Sequence, residues 1–86
     1  MKLRREDLAW HVVGEDLVVL DLRNSYYFSF NAAARMLWEQ LVDGAEYEDL
    51  VVALADAYHL PEARARADAD VFIEDLRHHG LIDGDD

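Results

Sequence analysis

An α+β fold, a three-stranded antiparallel sheet followed by three helices, is predicted by three features of this 86-residue chain. Positions 8 to 30 are rich in β-branched and aromatic residues with alternating character. From Ala32 onward apolar residues recur at spacings of three and four. Asparagine, glycine and proline punctuate the changes.

The first strand is predicted at about 8–13 (LAWHVV), the second at about 17–22 (LVVLDL) and the third at about 26–30 (YYFSF). Gly14-Glu15-Asp16 supplies the first turn and Arg23-Asn24-Ser25 the second. Links this short join antiparallel neighbours, so the third strand is an edge unless something covers it.

Asn31 is a strong helix N-cap directly before Ala32. Ala34, Leu37, Trp38 and Leu41 then mark the inner face of a helix over about 32–42, and Asp43-Gly44 ends it. Glu46, Glu48 and Asp49 place negative charge where a helix dipole favours it, at the start of a second helix over about 47–58. Its buried stripe is expected at Leu50, Val51, Leu54 and Ala57. Pro61 suits a first helical turn and opens a third helix over about 61–79, with Ala65, Ala69, Phe72, Ile73 and Leu76 inward and Gly80 stopping it before Leu81-Ile82. The order of elements is that of a winged helix-turn-helix with its sheet placed first.

Composition narrows the function. The chain is one domain, residues 1–86, with 52% hydrophobic residues, and its size leaves little room for a deep enzymatic cleft. It has no cysteine, so disulfides, thiolate metal sites and cysteine nucleophiles are excluded together. No apolar run is long enough to cross a bilayer and no signal-peptide pattern follows the basic N-terminus, so no membrane association and a cytoplasmic location are expected. A formal net charge of −11 repels phosphate, which argues against nucleic acid as a partner and for a peptide or basic protein surface. The helix that would read DNA carries Arg64, Arg66 and Arg77 against Glu62, Asp68, Asp70, Glu74 and Asp75. His78 and His79 are adjacent and diverge on a helix, so they form no metal-binding pair, and neither Ser25 nor Ser29 sits in a nucleophile motif. A non-enzymatic protein without metal or cofactor is expected.

The aromatic third strand is left. Strand alternation lets Phe28 and Phe30 pack on the helices while the tyrosines lie across the outer face with their hydroxyls in water. No lysine, proline or bulge guards its edge between Tyr26 and Phe30, and an unguarded edge is a place where another strand can add, whether from a peptide or from a second copy.

Several segments, in order, resemble the PqqD-like family: Val18-Val19-Leu20-Asp21, Tyr27-Phe28-x-Phe30-Asn31, Trp38, Asp68-Ala69-x-x-Phe72-Ile73-x-x-Leu76 and Gly80-Leu81-Ile82. The resemblance spans roughly Leu8 to Ile82. It implies a recognition element that binds the leader part of a ribosomally made precursor peptide. The leader would lie as an extra antiparallel strand on the third strand, its apolar side chains entering a groove beside the third helix. The residues it implies for peptide binding are Tyr26, Tyr27, Phe28 and Ser29 on the strand and Asp68, Val71, Phe72 and Asp75 on the helix. Spacings of three, four and seven allow those four one broad helical face. The chain is similar in length to the discrete recognition proteins of lasso peptide biosynthesis, which implies a separate leader peptidase and cyclase as further partners. A peptide chaperone of quinone cofactor biosynthesis is the alternative within the family, and a winged-helix DNA-binding regulator the alternative outside it. The sequence departs from the family at Ser25, where glycine is usual, at Tyr47, near a usual hydroxyl cap, and at Leu60, where aspartate usually precedes Pro61.

Overall fold

A computed structural model describes residues 1–83 of the chain. Its elements are β1 (Lys2–Leu3), β2 (Leu8–Val13), β3 (Asp16–Asp21), β4 (Tyr26–Phe30), α1 (Ala32–Val42), α2 (Tyr47–Tyr58), α3 (Glu62–His78) and β5 (Ile82–Asp83). The expected meander is present as an antiparallel sheet in the order β2-β3-β4, and three helices follow it. Two short strands were not expected: β1 and β5 pair antiparallel, Leu3 opposite Ile82, and tie the two ends of the described chain together.

The second predicted strand shifts by one residue, and Leu22 falls outside it. The cause is Asp21, whose carboxylate accepts the backbone N–H of Arg23 at 3.1 Å and of Asn24 at 3.3 Å and the Asn24 side-chain amide at 2.9 Å. An aspartate folded onto the following turn ends the ladder there. Ser25 closes that turn with φ 61°, the left-handed conformation that glycine adopts without strain.

Helix ends follow from local chemistry. The Asn31 side chain accepts the Ala34 N–H at 2.9 Å and starts α1. Tyr47 needs no hydroxyl cap before it, because Asp49 reaches back to accept the Glu46 N–H at 2.9 Å. Pro61 stands just outside α3 with extended ψ, so the helix begins one residue later than expected. Its last turn closes in a Schellman motif, with Gly80 at φ 69°, its N–H on the Arg77 carbonyl and the Leu81 N–H on the Leu76 carbonyl. Leu76 and Leu81 are both fully buried and supply the apolar contact of that motif.

The core lies between the inner face of the sheet and the helices. Leu17 and Val19 of β3 meet Leu37, Trp38 and Leu41 of α1, Leu50, Val51 and Leu54 of α2, and all five expected residues of α3. Ala57 is a correction: the last turn of α2 is exposed, and Leu60, beyond the left-handed His59, packs on the core instead. A line of rings runs inward from the exposed Trp10, which lies edge-on to Trp38 at 5.5 Å, with Trp38 stacked on Phe30 at 6.0 Å and Phe30 edge-on to Phe72 at 6.1 Å. The Trp38 indole N–H is buried without a hydrogen-bond partner among the described residues, so packing alone holds that ring.

One charged pair is buried in this core. The Arg4 guanidinium meets the Asp21 carboxylate at 2.5 Å, and its other donors reach the carbonyls of Glu6, Asp7 and Gly80 at 3.1 to 3.2 Å. The hydrogen bonds from Asn24, then from Arg4, hold the Asp21 carboxyl at a pKa of about 2.

Two outcomes follow for stability. Because the Asp21 pKa is depressed on folding, its contribution is present above the ordinary carboxylate range and is lost as pH falls towards 2. Acid titration followed by circular dichroism should show the wild type losing stability between about pH 4 and 2, and Asp21→Asn should be less stable at neutral pH with a shallower acid limb. Ser25→Gly should gain about 0.5 to 1 kcal/mol in urea unfolding, relief of the left-handed strain exceeding the added freedom of the unfolded chain.

Candidate functional site

Among the described residues β4 pairs with β3 alone, so its second edge is open there. Its register sets Tyr26, Phe28 and Phe30 opposite Asp21, Val19 and Leu17, all three buried, and sets Tyr27 and Ser29 opposite Leu20 and Val18. The two tyrosines therefore do not share the outer face, since neighbours on a strand point to opposite sides. Tyr27 lies outside, 73% exposed. Tyr26 is on the inner side, against Phe28 at 6.4 Å, yet remains largely open to solvent.

Facing this edge is α3. Asp68, Val71, Phe72 and Asp75 turn towards it and form one wall of a cavity of about 450 Å³. The strand side contributes Ser29, Phe30 and the helix cap Asn31, while α1 gives Ala33, Ala34 and Leu37 and α2 gives Leu54. Of the eight residues expected at the site, Ser29 and the four helical ones come together here. Tyr26, Tyr27 and Phe28 lie outside the lining, further along the same strand.

The sequence reading missed two groups. The floor residues Leu37 and Leu54 were read as ordinary core, and periodicity offered no sign that a cavity opens above them. The other is His79, beside Phe28 and like it outside the cavity lining, the two rings 4.4 Å apart. It continues the row of Asp68, Phe72 and Asp75 by one more step of four, a spacing that could have revealed it.

The floor is apolar and the rim is acidic. Phe72 and Leu54 are buried, whereas Val71 is 62% exposed and overhangs the opening. Among the described residues Asp68 is engaged only by Arg64, at 3.3 Å in an exposed pair, and the Asp75 side chain has no partner. Elsewhere on α3, Arg66 binds Glu48 at 2.7 Å and Glu62 at 2.8 Å, and its hydrogen bonds lower the Glu48 pKa. Two of the arginines that a DNA-reading α3 would need are thus paired with carboxylates. Among the described residues no group of three or more histidine, aspartate or glutamate side chains is placed to hold a metal ion, and no helix is long and apolar enough to cross a membrane.

The family model described as "Coenzyme PQQ synthesis protein D (PqqD)" matches residues 16–82. The chain belongs to the PqqD family. Two solved structures share its fold closely. One is TbiB1 in complex with the TbiA(beta) leader peptide, 23% identical, covering 100% of this chain and 99% of that one with a TM-score of 0.90. The other is a lasso peptide synthetase B1 complexed with its leader peptide, 22% identical, covering 98% and 100% with a TM-score of 0.85. The PqqD-family match begins at β3 and ends at β5, so it takes in both walls of the cavity. No curated protein sequence matches this chain.

Because Phe72 is both wall and core, Phe72→Ala should cost about 3 to 5 kcal/mol, measured by urea unfolding. Val71→Ser, on the exposed lip, should change stability by about 0.5 kcal/mol or less. The second variant can therefore report on binding without disturbing the fold.

Proposed function

We propose that this protein is a non-catalytic adaptor that binds the leader segment of a ribosomally synthesised precursor peptide and presents it to processing enzymes. The observation that carries this reading is the apolar cavity between the open edge of β4 and α3. A strand added to β4 satisfies backbone donors and acceptors along its length, while side chains on its inner face enter the cavity. Burying two or three apolar side chains at ~1.5 to 3 kcal/mol each offsets the cost of association and supports a Kd on the order of micromolar or better.

The geometry also gives the complex a direction. Phe72 meets Phe30 and His79 meets Phe28, so α3 runs opposite to β4. A leader antiparallel to β4 runs parallel to α3, its N-terminal part near Asp68 and its C-terminal part leaving past Tyr26 and His79. The core peptide then emerges at that end of the domain, where a leader peptidase and a cyclase would act. Lasso peptide biosynthesis is the setting supported by the two similar structures, each bound to a leader. The description of the family model favours a second setting, quinone cofactor biosynthesis.

Titration with leader peptides of a lasso precursor and of a quinone precursor separates the two settings. In the peptide that binds, proline at a strand-forming position should weaken affinity at least about tenfold, because it removes a ladder donor. Unchanged affinity would sink strand addition. Val71→Ser should weaken binding about threefold or more at unchanged Tm.

A further inference from the structure

We propose that the strand accepted by this groove carries two cationic side chains, lysine or arginine, four residues apart around a central apolar one, the cations meeting Asp68 and Asp75. The inference rests on the strand-addition reading and specifies the chemistry of the occupant.

The two carboxylates flank Phe72 on one face of α3, seven residues and so about 10 Å apart along the helix axis. Between them the floor of Phe30, Leu37, Leu54 and Phe72 offers only apolar surface. On an extended peptide, side chains that point the same way recur every second residue, ~7 Å apart. The apolar side chain that fills the floor thus has same-face neighbours two residues before and after it. Those neighbours straddle Asp68 and Asp75, and the long stems of lysine or arginine close the remaining gap.

Charge decides what those neighbours are. The polar residues lining the facing wall are Ser29 and Asn31, neither of them charged, and Asn31 already spends its side-chain oxygen on the Ala34 N–H. An overlying strand removes water from both carboxylates. A neutral or acidic peptide would leave them without a partner, whereas a cation on each side replaces the lost solvation. Asp68 gives up little in exchange, since its contact with Arg64 is an exposed pair within one helical turn. A chain of formal net charge −11 also steers such a peptide towards it.

The test is selection of a randomised peptide display library on the full chain, and in parallel on the Asp68→Asn/Asp75→Asn double variant. Peptides enriched on the wild type should share lysine or arginine at two positions four apart with an apolar residue midway, and those enriched on the variant should keep only the apolar residue. In one enriched peptide, Lys→Glu at the position facing Asp75 should weaken binding about five- to tenfold, as should Asp75→Lys in the protein, and combining the two should restore it. Enriched peptides that are neutral or acidic at both flanking positions, or a combined reversal with no recovery, overturn the charge rule and leave strand addition standing. An absence of enriched peptides, or enriched peptides indifferent to proline in the strand, overturns strand addition and the charge rule with it.

Discussion

The buried pair of Arg4 and Asp21 is the constraint on which the other elements hang. A charge taken out of water is tolerated only when its hydrogen-bonding capacity is met, and Arg4 meets it through four separate points of the chain. Asp21 fixes the end of β3 and the turn into β4. The Gly80 carbonyl fixes the end of α3. One guanidinium therefore holds both walls of the cavity, and the distance between strand and helix is set at this end by a group outside the cavity altogether.

At the other end of the walls, spacing is set by rings. Phe30 lies between Trp38 and Phe72, so β4 cannot approach or leave α3 without disturbing the aromatic line that runs back to Trp10. Alternation along β4 divides the labour. Phe28 and Phe30 on the inner side anchor the strand, and the backbone along its other edge is left unpaired among the described residues. For the strand addition proposed above, walls fixed at both ends would spare the added strand the ordering cost of a flexible groove.

Much of this was legible in the residues because it is local. Asn31, Gly44, Pro61 and Gly80 mark helix limits through their own backbone and side-chain chemistry, and the stripe from Ala65 to Leu76 follows from periodicity alone. The helical wall of the cavity could be placed on one face by spacing. Its floor could not, because a buried leucine below a cavity and a buried leucine below another side chain have the same pattern. Arg4 belongs to the basic N-terminus, and nothing near it in sequence shows that Asp21 will meet it. Strands of two residues carry no period, so β1 and β5 were invisible. The glycine missing at Ser25 and the cap missing at Tyr47 were visible as departures, and the structure gives each a local answer: strain accepted at one, Asp49 substituting at the other.

The clasp of β1 with β5 has a topological consequence. It sets Lys2 opposite Asp83, so the described chain is nearly a closed loop. A short linker between Lys2 and Asp83 could close it and let the chain be reopened elsewhere, at the exposed Gly14-Glu15 tip for instance, without unpairing either wall of the cavity. For the same reason a protein tethered beside Lys2 or beside Asp83 would be held at the same place on the domain, about the Gly80 end of α3. Order of fusion would then matter little, and length of tether would matter most.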